Sequence, residues 1–299
     1  MIQGSSRVLA AALLAIAAAP ASAQTELEQA PSLEKFAVRA ETTAEAVDYT
    51  GFDKYLDLFG VPAGKRLKFK YDASKEEGTA FLRRYIEALA KISPAKLSGD
   101  DQLAYWLNLR NLLVIAHVSE SGGRANLKKD RGAGDAPGDA WTAKLVTVDE
   151  VPLSIEQIDR GIIIANWKDP RVLYGLYQGA AGGPPALRTA FRGETVWTEL
   201  DAAAKRYLTS GAGFELTKKG AEVSAVYAWY ADPFFPDEAA LRAHLEQYIT
   251  HGARINLAKT PKIVHREFNY KPDTYVERIV DQTPGVPRPQ PQQTYPTGS

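Results

Sequence analysis

The stretch that most restricts how this chain can fold is residues 102–119. It carries Leu103, Tyr105, Trp106, Leu107, Leu109, Leu112, Leu113, Val114, Ile115 and Val118, so a helix drawn through it is apolar almost all round. Such a helix has no face to give to water and belongs at the centre of a fold, with other elements wrapped about it. Its start is marked by Ser98-Gly99-Asp100-Asp101, a capping residue followed by carboxylates that suit the positive end of the helix dipole. Asn108 and Asn111 lie three residues apart and so share one face. A buried amide without partners costs about 1–3 kcal/mol, so both must be hydrogen-bonded, either to the backbone of a loop the helix supports or to a ligand.

Residues 167–188 supply a loop of that kind. The segment opens on Asp169-Pro170-Arg171, runs through an apolar stretch to Leu176, relaxes into small residues over 179–183 and stops at Pro184-Pro185. The candidate pocket is therefore floored by Asn108 and Asn111 and rimmed by Asp169, Arg171, Tyr174 and Gln178. None of these is an obvious nucleophile. Asp169 precedes a proline, which biases it to extended backbone, and sits beside Arg171. It can serve as a local backbone acceptor with an ion pair, or as a general acid or base.

The remaining elements follow from periodicity. Phe52, Tyr55, Leu56 and Phe59 form a helical stripe ended by Gly60 and Pro62, and residues 67–71 alternate as a short strand. Helices are expected over 75–91, with Phe81, Leu82, Tyr85, Leu89 and Ile92 inward, and over 154–165 behind a Ser154-to-Gln157 capping box. Others are expected over 198–208 and over 237–250. Strands are expected at 144–148, 214–216, 222–230 and 265–270. Residues 122–140, rich in Gly, Asp and Lys, read as a long exposed loop; their glycines lack the spacing of a phosphate or dinucleotide loop.

Composition enters as exclusion. The chain has no cysteine, and its single methionine is Met1, which removes disulfides, thiolate nucleophiles and cysteine-ligated metals. The four histidines are His117, His244, His251 and His265. His244 and His251 stand about 10 Å apart along a helix, too far to chelate one ion. No metal or other cofactor is expected, and no Gly-x-Ser-x-Gly elbow is present.

Arg7, the apolar run from Val8 to Ala19 and Ala21-Ser22-Ala23 have the order of a cleavable signal peptide, and the run is far short of the roughly 20 residues that span a bilayer. Residues 1–23 are expected to be removed near Ala23, which makes the protein periplasmic or secreted. Lys and Arg total 36 and Asp and Glu 36. Loss of Arg7 leaves a charge near −1, which gives no warrant for nucleic acid as a partner. Residues 24–47 read as weakly structured, 48–283 as one domain, and the Pro- and Gln-rich 284–299 as a disordered tail.

Four segments in order resemble the family called domain of unknown function 547, over about 101–234. They are Ala104-Tyr-Trp-Leu-Asn-Leu-Arg-Asn-Leu-Leu113, Leu153-Ser-Ile-Glu-Gln-Ile-Asp-Arg-Gly161, Asp169-Pro-Arg-Val-Leu173 and Val223-Ser-Ala-Val-Tyr-Ala-Trp-Tyr230. The resemblance implies His or Cys at positions that hold Arg160, Leu173, Gln178 and Gly183 here, a set suited to thiol or metal chemistry. None of the four residues present can act as a thiolate or bind zinc, so the chain resembles a pseudoenzyme. The expected fold is α+β: one mainly helical domain with a small mixed or antiparallel sheet packed on the central helix. The expected function is an exported, non-catalytic binding or interaction module whose partner is a small molecule or an envelope component. The alternative is a cell-envelope hydrolase or transferase that works through carboxylates.

Overall fold

A computed structural model describes residues 33–38, 46–133, 136–218 and 220–277. The expected signal peptide and its expected cleavage point near Ala23, most of the 24–47 segment and the expected tail at 284–299 lie outside the described residues. Six helices form the frame: α1 (Thr50–Phe59), α2 (Glu77–Leu89), α3 (Gly99–Glu120), α4 (Val196–Leu208), α5 (Glu238–Glu246) and α6 (His251–Ala258). Single helical turns at Tyr71–Ser74, Leu127–Arg131, Asp139–Thr142 and Val226–Trp229 join them. The strands are short: β1 (Gly60–Ala63), β2 (Arg66–Phe69), β3 (Gly132–Ala133), β4 (Ala136–Pro137), β5 (Val146–Val148), β6 (Val151–Leu153), β7 (Phe214–Thr217), β8 (Gly220–Ser224) and β9 (Ile263–Arg266).

The central helix is where its composition requires it to be. Ser98 caps α3 by accepting a hydrogen bond from the Asp101 amide at 3.2 Å. Residues 102–116 are all buried, Arg110 included. The helix ends because Gly122 and Gly123 adopt φ of +62° and +78°, and the Gly123 amide returns to the Val118 carbonyl at 3.0 Å. Its main neighbours are α2, the Tyr71–Ser74 turn, α4 and a wide helix at Gln157–Ile164. One hydrophobic core, from Phe36 to Phe268, gathers round it, which makes the described residues a single α+β domain.

The strands make several small sheets in place of one. β1–β2, β3–β4 and β5–β6 are antiparallel hairpins, and β7, β8 and β9 form a mixed sheet in which β8 pairs antiparallel with β7 and parallel with β9. The β5–β6 turn is Asp149-Glu150, with φ of 46° and 68°, the two left-handed positions of a tight hairpin.

Several expectations are corrected. The described residues of 122–140 are not a plain exposed loop: they include the turn Leu127–Arg131, strands β3 and β4 and the start of the turn Asp139–Thr142, with Gly122, Gly123, Leu127 and Arg131 buried. The expected strand over 222–230 stops at Ser224, whose hydroxyl accepts from the Val226 amide at 3.3 Å and turns the chain into Val226–Trp229. Alternation among residues that are apolar on both sides cannot tell a buried strand from a buried helical turn. The helix expected over 237–250 breaks after Glu246, and Thr250 caps α6 instead. The Ser154 capping box forms, with the Gln157 amide donating to Ser154 Oγ at 3.2 Å and the Ser154 amide to Gln157 Oε1 at 3.1 Å. The helix behind it, Gln157–Ile164, is however a π-helix. Phe81 and Tyr85 stack on each other at the half-buried margin of α2, whose inward face is Leu82, Ile86 and Leu89.

Candidate functional site

The loop at 167–188 and the residues that follow it lie across α3, where Asn111 holds the backbone of the loop and Asn108 that of Phe191 just beyond it. Asn108, with no solvent exposure, donates to the Phe191 carbonyl at 2.9 Å and accepts from the Phe191 amide at 2.9 Å. Asn111 donates to the Gly175 carbonyl at 2.9 Å and accepts from the Tyr177 amide at 3.2 Å. Each carboxamide thus substitutes for a missing strand or turn partner of the loop, which is how a loop without regular structure keeps its backbone satisfied when buried.

Between these asparagines the helix carries Arg110, which is fully buried. Its guanidinium donates to Asp159 from Nε at 2.7 Å and from Nη2 at 3.1 Å, and to Asn111 Oδ1 and the Tyr177 carbonyl from Nη1. Tyr230 donates to the same carboxylate at 3.0 Å. Arg131, also buried, donates to Tyr230 Oη at 3.2 Å and to Gln178 Oε1 at 2.8 Å, and its guanidinium lies 3.8 Å from the centre of the Trp229 ring. Gln178 completes the chain by donating to the Leu176 carbonyl at 2.9 Å. Two buried cations therefore face one buried carboxylate, with an aromatic face taking the place of the second anion.

Asp169 and Arg171 sit elsewhere, at the half-exposed margin of the fold, while Tyr174 is buried against His244. Asp169 caps the Pro170–Gly175 turn by accepting from the Arg171 amide at 2.9 Å, and takes the Arg171 guanidinium at 2.7 Å. Arg171 reaches Asp201 at 3.3 Å and lies 4.6 Å over the Trp197 ring. Burial pushes the Asp169 carboxyl up, but the bonds from Arg171 outweigh it and hold the group below the ordinary carboxylate value. The Tyr174 hydroxyl bonds His244 Nε2 at 2.7 Å, and the two rings stack at 5.7 Å. Burial lowers the His244 pKa to about 4, with Asp169 opposing and Arg171 adding to the shift.

The six residues thus divide into three places: Asn108 on Phe191, Asn111 and Gln178 in the arginine network, and Asp169, Arg171 and Tyr174 around His244. None of the six lines the best-formed clefts among the described residues. Among those residues no group of three or more His, Asp or Glu side chains gathers to hold a metal ion. No helix among them is long and apolar enough to cross a membrane.

Residues 94–208 match the family model described as a protein of unknown function, DUF547. No curated protein and no solved structure matches the chain. The DUF547 segment starts with the turn before α3, takes in the loop at 167–188 and closes with α4. Trp229 and Tyr230, which complete the arginine network, come from beyond it.

The positions at which the DUF547 resemblance implies reactive groups are packed tightly here. A Cβ added at Gly183 would come within 2.7 Å of Gln178 Cβ, so positions 178 and 183 are spatial neighbours. Leu173 is 1% exposed. Arg160 pairs with Glu156 at 2.5 Å, donates to the Trp229 carbonyl at 2.6 Å and lies 4.9 Å over the Tyr230 ring, which puts it on the outer side of the same network.

Sequence reasoning missed Arg110, Asp159, Arg131 and Tyr230. One signal for the first was present: a lone cation in an otherwise apolar helix requires a buried acceptor. Nothing in the local pattern identifies which of the 36 acidic residues supplies it.

Proposed function

We propose that the protein is an exported, non-catalytic binding or interaction module, built on a scaffold whose reactive positions have become structural. The observation that carries this is Gln178. It has no solvent exposure, its oxygen is held by Arg131 and its amide by the Leu176 carbonyl, so neither end is free for a substrate. With Gly183 against it and Leu173 buried, the position is filled and closed. Export rests on the leader-like residues 1–23 and is tested by the N-terminus of the purified mature protein, expected near Gln24.

The alternative, a hydrolase or transferase working through carboxylates, has Asp169 as its candidate. That side chain is engaged by Arg171 on both oxygens, and its lowered pKa makes it a poor proton donor near neutral pH. Thermal-shift screening with envelope glycans, lipids, peptides and divalent metals separates the two readings. A binding module gives a saturable shift with the ligand recovered unchanged. Turnover that Asp169→Asn abolishes would replace this reading with the alternative.

The triple substitution Leu173→His, Gln178→Cys and Gly183→Cys tests the scaffold directly. Metal uptake, or thiol reactivity beyond that of Gln178→Cys and Gly183→Cys made singly, supports a decayed site. Ordinary independent thiols without metal uptake count against it.

A further inference from the structure

A cleft of about 380 Å³ opens between the β1–β2 hairpin, residues 186–189 and α4, away from both polar clusters described above. Lys65, Arg188, Arg206 and Glu199 line it, with Leu67 and Leu187 among its apolar walls. Arg66 also borders the cleft, but its guanidinium is committed to Asp273 at 2.5 and 3.0 Å and to the Gly183 and Ala180 carbonyls at 2.9 Å. It serves as a fixed wall that ties the cleft to the loop at 167–188. Arg188 and Arg206 are different: among the described residues neither has a hydrogen-bonded or ion-paired partner. They nevertheless stand close enough for Arg188 to add to the effect of burial in lowering the Arg206 pKa, against the opposing pull of Glu199. Two uncommitted guanidinium groups on one concave surface repel each other, and a ligand that neutralises them removes that cost.

We propose that this cleft is a binding site for a small organic oxyanion, a carboxylate or a phosphate. The planar fork of arginine matches both oxyanions through paired hydrogen bonds. The volume lies at the lower end of that of small-molecule sites, which suits a metabolite-sized ligand, and the apolar wall from Leu67 and Leu187 offers a surface for its carbon skeleton. Lys65, whose Nζ donates to the Thr209 carbonyl at 2.7 Å, adds positive charge at the rim. Glu199 keeps one carboxylate oxygen, Oε2, buried and without a hydrogen-bond partner among the described residues, and burial raises its pKa. The acidic member of the cleft is therefore turned inward and does not satisfy the arginines. The proposal rests on the reading of the protein as a binding module and specifies what it binds.

The test is isothermal titration calorimetry of the full chain with succinate, glycerol 3-phosphate and inorganic phosphate, each against sodium chloride at matched ionic strength. At least one oxyanion is expected to bind saturably with unit stoichiometry, and Arg188→Gln with Arg206→Gln to weaken it tenfold or more. Binding of inorganic phosphate as tight as that of glycerol 3-phosphate assigns the site to free phosphate; preference for either organic probe assigns it to that class. Heats no larger than those of chloride, or binding that survives the double substitution, overturn the proposal. Should Arg206→Gln fail to fold, Arg188→Glu at the exposed loop position replaces it, and binding that survives Arg188→Glu overturns the proposal equally. Absence of binding removes this site and leaves the non-catalytic reading standing. Conversion of a probe to product overturns the non-catalytic reading and leaves the site.

Discussion

Arg110 and Asp159, 49 residues apart in sequence and both without solvent exposure, form a two-pronged ion pair at the centre of the molecule. The pair joins the central helix to the π-helix, and the remaining Arg110 nitrogen holds Asn111 and the Tyr177 carbonyl of the loop at 167–188. Removing either partner leaves a desolvated charge.

Asp159→Asn is therefore expected to destabilise the protein by about 3–5 kcal/mol, measured by urea unfolding at neutral pH. Replacing both partners, Arg110→Met with Asp159→Leu, should cost less than the single change, because the Arg110 charge is then no longer stranded. A double variant that is no better than Asp159→Asn would show that the pair is not the unit of stability.

Asn108 engages the backbone of Phe191 with both ends of its amide. Asn108→Ala should cost about 1–3 kcal/mol. It should also speed hydrogen exchange of the Phe191 amide more than that of the Tyr177 amide, which Asn111 holds. Equal acceleration at both would mean that the two clamps are not separate.

The His244 pKa is lowered from 6.5 to about 4, chiefly by burial. The unfolded chain takes up a proton below pH 6.5 that the folded protein refuses until about pH 4. Stability from this group is thus complete above pH 6.5 and is lost as pH falls through that window, by at most roughly 3 kcal/mol. The difference between wild type and His244→Gln should carry that slope, since shared carboxylate titrations cancel. A difference that does not change between pH 7 and pH 4.5 would disprove it.

Glu150 occupies a left-handed position in the β5–β6 turn with φ of 68°. Glu150→Gly should stabilise the protein by up to about 1 kcal/mol by relieving this conformation, while Glu150→Val should destabilise it. Thermal unfolding of the two variants reads the sign directly. Asp149 is best left in place, because its carboxylate accepts from Ser93 Oγ at 2.8 Å.

What was legible in the sequence was local. The apolar run over 102–119, the Ser98 cap, the Ser154 capping box and the stripe from Phe52 to Phe59 each depend on residues a few positions apart, and the fold keeps all of them. Where burial on every side erased the periodicity, as in 222–230, the same reasoning extended a strand through a helical turn. Where composition suggested exposure, as in 122–140, it overlooked Arg131, which only its distant partners Gln178 and Tyr230 make buriable.

The two asparagines of the central helix show where local reading ends. The sequence determined that Asn108 and Asn111 share a face and need partners, because helix geometry and the cost of a bare amide fix both points. Only the tertiary structure decided that those partners are the backbone at Phe191, Gly175 and Tyr177. It alone set Arg110 against Asp159, Arg131 against Trp229 and Arg188 beside Arg206. Such pairings are chosen by chain closure over tens of residues, and the Coulomb and desolvation energies that favour them depend on distances and burial that no local pattern encodes.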